Sequence, residues 1–217
     1  MKRIFLIIIP VLFAITGFCQ DLKPVKLDSD VTVSLFPGYQ KKDTTKESIY
    51  SVNGLYGFMV VIRELNAKDN AQLKKASDLN KTLKTYIKGI QAQEENSAAE
   101  NVRDTTISTL KAKVFTLASN DGQSEVTYRN FLILYTRYVT YTFEYVYPQS
   151  RADIVKAEYK AFISSIRISP GLTWNEQYLT KATGMSSITK IELFGGIGVA
   201  LILVIVLVVR KRSPAIS

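Results

Sequence analysis

The chain predicts an α+β domain, an antiparallel sheet with two helices, followed by one C-terminal transmembrane helix. Short runs in which apolar and polar residues alternate, closed by turn residues, supply the strands. Two longer segments with apolar residues three and four apart supply the helices. Seventeen residues without a charge, Leu193 to Val209, run directly into Arg210-Lys211-Arg212 and supply the membrane span.

The first strand is Val31 to Phe36, where Val31, Val33 and Leu35 alternate with Thr32 and Ser34 before Pro37-Gly38 ends the run. A polar, lysine-rich loop follows from Lys41 to Glu47. Ser48 to Val52 and Tyr56 to Glu64 then flank Asn53-Gly54, the dipeptide that best tolerates the two positive φ angles of a tight hairpin turn. Asn70 can cap a helix from Ala71 to Gln91 whose stripe is Leu73, Ala76, Leu79, Leu83, Ile87 and Ile90. Lys74, Lys75, Lys81, Lys84 and Lys88 lie off the stripe and read as its solvated face. Ala92 to Asn101 has no period and reads as an exposed loop.

Val102 to Thr109 and Ala112 to Ala118 form the next hairpin, and Asn120-Asp121-Gly122 turns into a strand from Glu125 to Leu134. A further strand runs from Tyr138 to Tyr147, although Tyr135-Thr136-Arg137 before it offers no turn residue. Pro148-Gln149-Ser150 ends the sheet, and Ser150-x-x-Asp153 has the form of a capping box. The last helix should bury Ile154, Ala157, Ala161 and Phe162, stop near Ser164, and give way to the extended piece Ile166-Arg167-Ile168.

These elements place one domain at residues 28–168, large enough to bury about two thirds of its unfolded surface. The basic Met1-Lys2-Arg3, the apolar Ile4 to Ile15 and the small residues Gly17 and Cys19 mark residues 1–19 as a cleaved signal peptide. The competing reading makes Cys19 a lipidated first residue, but Phe18 is large where that signal wants a small residue. Residues 169–190, with Pro170-Gly171, Gly184 and Ser186-Ser187, read as a juxtamembrane stalk. Residues 191–209 form the span and 210–217 a basic tail. A seventeen-residue helix covers roughly 26 Å at ~1.5 Å per residue, close to the ~30 Å of a hydrocarbon layer. The basic triplet marks the cytoplasmic side, so the expected arrangement is single-pass type I.

Five of the 28 basic residues, Lys2, Arg3, Arg210, Lys211 and Arg212, belong to those membrane signals, which leaves 23 against 19 acidic residues. The pI of 9.5 is therefore largely topogenic, and nucleic acid is not an expected partner. The chain has no histidine, and its one cysteine, Cys19, leaves with the signal. That composition removes disulfides, thiol nucleophiles, imidazole bases and zinc sites of the usual kind, so no cofactor or metal is expected. An exported domain without disulfides points to a bacterial inner membrane with the domain in the periplasm.

The candidate functional residues are few. Val139, Tyr141, Phe143, Tyr145 and Tyr147 share one face of a strand as an aromatic ladder. The ladder reads first as core under a helix; its alternative is a binding face formed by Tyr141, Phe143 and Tyr145. On the opposite face Thr140, Thr142 and Glu144 read as solvated. Glu94-Glu95, Glu100 and Asp104 cluster in the exposed loop region, a poor place for the fixed acid pair of a glycosidase. Ser187-Ile188-Thr189-Lys190 matches a serine-lysine pattern without its companion motifs. Gly196 and Ala200, four apart in the span, offer a small-residue groove for helix pairing and thus for a homodimer.

The order of elements, with Leu35-Phe36-Pro37-Gly38-Tyr39 near the start and Phe162-x-x-Ser165-Ile166 at the end, resembles the PsbP and Mog fold family. The resemblance covers residues 28–168. It implies an α/β/α sandwich around an antiparallel sheet, used as a binding or assembly module rather than as an enzyme. The histidine-based metal contacts of some members have no counterpart here. The combined expectation is a membrane-tethered periplasmic binding or assembly module, non-catalytic, partnered by the bilayer and another envelope protein. The alternative is a cell-envelope hydrolase using carboxylates or a serine-lysine pair.

Overall fold

The computed structural model describes residues 22–67, 72–93, 97–120 and 125–180. The expected signal peptide, residues 181–190 of the expected stalk, the expected span with Gly196 and Ala200, and the basic tail lie outside the described residues. Among the described residues no helix is long and apolar enough to cross a membrane.

Among the described residues ten strands and two α-helices follow in the order β1 (Lys23–Lys26), β2 (Val31–Leu35), β3 (Gln40–Asp43), β4 (Glu47–Asn53), β5 (Phe58–Leu65), α1 (Ala76–Gln91), β6 (Ala98–Ile107), β7 (Leu110–Ser119), β8 (Thr127–Tyr135), β9 (Val139–Pro148), α2 (Lys156–Ser164) and β10 (Arg167–Ile168). Seven strands make one antiparallel sheet in the order β3-β4-β5-β9-β8-β7-β6. β1, β2 and β10 make a small second sheet, also antiparallel. The α+β class expected from the sequence is what the chain adopts. The layers differ from a plain α/β/α sandwich, because α2 shares its side of the large sheet with the three-stranded sheet while α1 lies on the other side with the 174–178 segment.

Strand β8 is covered on both faces, which is why Phe131-Leu132-Ile133-Leu134-Tyr135 is apolar without alternation. On the α1 side Leu79, Leu83 and Ile87 pack on Phe115, Leu117, Phe131 and Ile133, with Phe115 and Phe131 stacked at 4.7 Å. On the α2 side Phe162 packs edge-on against Phe143, next to Val33, Leu35, Met59 and Val61.

Several expected boundaries move. The Lys41 to Glu47 loop contains β3, an edge strand that is exposed throughout, so its polar sequence hid it. α1 begins at Ala76 and not at Ala71, because Lys75 is extended and its backbone N–H donates to Asp78 Oδ2 at 3.1 Å. β6 begins at Ala98, inside the expected loop. Tyr135-Thr136-Arg137 does form a tight reversal, since Thr136 Oγ1 supplies what glycine or asparagine usually would: it donates to Val139 O at 2.8 Å and accepts from Val139 N at 3.2 Å. The Ser150 capping box does not form. Ser150 N–H donates to the Glu125 carboxylate instead, a 3-10 turn occupies Gln149–Arg151, and α2 starts at Lys156.

The buried side of α2 also differs from expectation. Ile154, Ala157 and Ala161 are exposed, and the buried positions are Val155, Glu158 and Phe162. The chain does not leave the domain at Ser169 either. Gln177 Nε2 donates to the carbonyls of Lys111 and Tyr135 at 2.7 and 2.8 Å, its Oε1 accepts from Lys111 N at 2.8 Å, and Tyr178 is buried beside it. The first part of the expected stalk is thus packed domain as far as Thr180, where the hydroxyl donates to Lys74 O at 3.0 Å.

Candidate binding surface

The large sheet has two ends with different chemistry. At one end lie the start of β7, the β8–β9 reversal, the end of β5 and the last described residue, Thr180. At the other lie the β4–β5 connection, the end of β9 and the start of β8.

Asn53-Gly54 at that second end does not make the two-residue turn its sequence predicts. The loop runs over residues 54–57 and is closed by Gly54 N–H donating to Gly57 O at 2.7 Å. Its shape is set from α2. Glu158 Oε2 accepts from Leu55 N and Tyr56 N, both at 3.1 Å, and Arg151 Nη1 donates to Tyr56 O at 3.0 Å. The close approach needs both glycines. A Cβ on Gly54 would stand 1.8 Å from Glu158 Oε1, and one on Gly57 would stand 2.6 Å from Tyr145 Cζ.

Glu158 is 7% exposed, and its Oε1 and the Tyr145 hydroxyl are both buried without a well-formed hydrogen bond. Burial first, and the neighbouring Glu158 charge second, push the Tyr145 hydroxyl well above its ordinary pKa. A charged anchor in this position is costly unless it does something, and what it does is hold backbone N–H groups of the loop.

The loop so held carries its large side chains outward. Leu55 is 49% exposed, Tyr56 and Phe58 are also exposed, and Ile154 of the segment before α2 is 53% exposed. The bonds from Glu158 and Arg151 tie the segment before α2 to this loop, whose exposed Leu55 and Tyr56, with Phe58 at the start of β5, form an apolar knuckle. A shallow cavity of about 480 Å³ beside it is lined by Tyr56, Phe58, Thr127, Tyr147 and Arg151. Sequence reasoning passed over these residues. The available signal was Leu55-Tyr56 directly after Asn-Gly, two large apolar residues at the tip of a predicted turn.

The residues singled out from the sequence lie elsewhere. Tyr141, Phe143 and Tyr145 are buried under α2 and the small sheet, packed as core. The Tyr141 hydroxyl donates to Asp28 Oδ2 at 2.7 Å, and Arg63 Nε donates to the same oxygen at 2.7 Å. Asp28 Oδ1 accepts from Asp30 N and Val31 N, so this carboxylate joins the β1–β2 turn to β5 and β9. Burial raises the Asp28 pKa, but the Tyr141, Arg63 and backbone donors outweigh it and hold the group below the usual carboxylate value.

The face expected to be solvated is not. Glu144 is 5% exposed and accepts from Arg129 Nε at 2.5 Å, and Thr140 is buried and donates to Asn66 Oδ1 at 2.7 Å. These groups sit under and beside α1, where a cleft of about 520 Å³ also meets Glu47 and Glu64. Glu100 and Asp104 are exposed on β6, where Asp104 pairs with Lys113 at 2.5 Å. Glu94, Glu95 and the Ser187 to Lys190 motif lie outside the described residues.

No family model matches the chain, and no curated protein matches it. Among solved structures its fold resembles that of the cyanobacterial PsbP of Synechocystis, at 15% identity over 71% of this chain and 96% of that chain, with a TM-score of 0.49. The likeness is one of fold.

Proposed function

We propose that the chain is a membrane-tethered extracytoplasmic binding or assembly module that works without catalysis and presents the Leu55 knuckle to a protein partner. The observation that carries this reading is the knuckle itself: exposed Leu55, Tyr56 and Phe58 at a loop whose backbone is held by a buried carboxylate and an arginine. A rigid apolar tip loses little conformational entropy on docking, which is what a binding loop requires. The tether rests on the charge-free run before Arg210 and on the amino-terminal signal pattern.

The hydrolase alternative has less to support it. A carboxylate mechanism needs two acids free to act across a cleft, and in the α1 cleft Glu144 is held by Arg129. Glu47 and Glu64 are direct cross-strand partners and so lie side by side on one hairpin, not across the cleft from each other.

The test is affinity purification of the anchored full chain from its own membranes, alongside the Leu55→Ser/Phe58→Ser double variant. The wild type should retain a partner that the variant loses, while both unfold at similar denaturant concentrations, because neither side chain is in the core. Equal recovery of every partner by the two chains would remove the knuckle from the function.

A further inference from the structure

We propose that the end of the domain around Thr180, carrying Tyr138, Leu179 and Leu65, rests on the lipid surface, so that the Leu55 knuckle points away from the membrane. The inference rests on the tether in the reading above and goes beyond it by assigning a second surface and its occupant.

The first argument is where the chain leaves. Leu179 N–H donates to Leu73 O and Thr180 N–H donates to Lys74 O, which fixes the last described residues beside the start of α1. Arg137 N–H donates to Glu176 O, and Asn66 N–H donates to Tyr138 O, so the same end gathers the β8–β9 reversal and the exit of β5. Only twelve residues, 181–192, separate this point from the apolar run that begins at Leu193. Fully extended at ~3.3–3.6 Å per residue they reach about 40 Å, so the exit point lies within that distance of any bilayer holding the run.

The second argument is what the end displays. Tyr138 is 61% exposed, the most exposed large apolar side chain of the described residues, Leu179 is 53% exposed, and Leu65 is exposed beside them. Arg137 lies over the Tyr138 ring at 5.1 Å, an aromatic ring paired with a cation as at membrane interfaces. Lys46, Lys74, Lys75 and Lys111 share this end with Arg137, against Glu47, Glu64 and Glu176. Asp43 and Asp78 lie there too, so the charges are mixed in sign and the lipid contact rests on the exposed apolar side chains. The knuckle lies a strand length away: β9 alone has ten residues, or roughly 33 Å at ~3.3 Å per residue.

The test uses the full chain in vesicles of phosphatidylethanolamine and phosphatidylglycerol. Nitroxide labels are placed on Tyr138→Cys, Leu179→Cys and Leu55→Cys in a Cys19→Ser background, all three labelled sites being exposed. Oxygen concentrates in the bilayer and a charged nickel chelate stays in water, so relaxation by each reports the depth of the label. The expected result is a several-fold higher ratio of oxygen to nickel accessibility at 138 and 179 than at 55. Labels at 138 and 179 that are as open to nickel as the label at 55 would overturn the lipid contact. If the chain fails to float with the vesicles at all, the tether itself is wrong. A lipid-like ratio at 138 that survives without phosphatidylglycerol supports apolar insertion, and one that collapses supports contact through the cations.

Discussion

Helix α1 puts only apolar side chains at its fully buried positions, whereas α2 puts a carboxylate into the middle of its buried side. Leu79, Leu83 and Ile87 meet Phe115, Phe131 and Ile133 and do nothing but exclude water. Between Val155 and Phe162, Glu158 forgoes that role in order to grip the backbone of the β4–β5 loop. The first helix is therefore a lid that many aliphatic sets could provide, and the second is a clamp whose chemistry is tied to one loop.

The lid is not complete by itself. Trp174 and Tyr178 join the α1 cluster, and Gln177 closes the sheet edge beside them. A fragment of residues 22–180 should unfold cooperatively, and one ending at Pro170 should be less stable by on the order of 5 kcal/mol, since it loses Tyr178 and leaves buried backbone groups of Lys111 and Tyr135 unpaired. Urea denaturation of the two fragments checks this, and equal midpoints would show the C-terminal segment to be a passenger.

The two faces should also differ in their cores. Phe143→Ala removes a ring that is wholly enclosed beneath α2 and should cost about 3–5 kcal/mol. Leu83→Ala should cost about 2 kcal/mol, at the low end for a leucine, because Leu83 borders an open groove of about 440 Å³ and its loss widens a channel instead of sealing a void. Equilibrium unfolding of both variants decides it. A larger loss at Leu83 would mean that the lid, and not the clamp side, carries the tighter packing.

This contrast also explains how much of the molecule its sequence revealed. The α1 stripe was readable because all of its buried residues are apolar, and β2 was readable from strict alternation. The α2 stripe was not, since a charged residue at its centre shifts the apparent apolar side by one position, to Ile154 and Ala161. β1 and β3 are short edge strands whose exposed side chains carry no pattern. The knuckle escaped for a related reason. Asn-Gly predicts its own tight turn, and nothing local says that a glutamate a hundred residues later will open the turn into a four-residue loop.

Breaking the clamp should separate fold from function. Glu158→Gln keeps one acceptor for the loop amides and should lose about 1 kcal/mol, while Glu158→Ala leaves Leu55 and Tyr56 N–H groups without their acceptor and should lose about 2–3 kcal/mol. Amide exchange is the sharper measurement. In Glu158→Ala the amides of Leu55 and Tyr56 should exchange far faster, with those of α1 unchanged. Uniform acceleration across both helices would show that Glu158 supports the whole fold and is not dedicated to the loop.

The smallest expected effect concerns the other carboxylate on the α2 side. Asp28 is held below its usual pKa by Tyr141, Arg63 and two backbone donors acting against burial, so the folded state prefers the ionised form more than the unfolded chain does. The stability this supplies is fully present above the unfolded carboxylate value near 3.9 and is lost as pH falls through the lower folded value. Tyr141 works in the opposite sense. Its hydroxyl is raised by burial and by Asp28, so its share persists below about pH 10 and declines above it. Asp28→Asn should flatten the acid limb of the stability curve and leave the alkaline limb in place, because the buried Tyr141 still resists ionisation. Denaturant midpoints measured from pH 2.5 to 7 test the first half. An acid limb as steep in Asp28→Asn as in the wild type would move the acid sensitivity to another carboxylate.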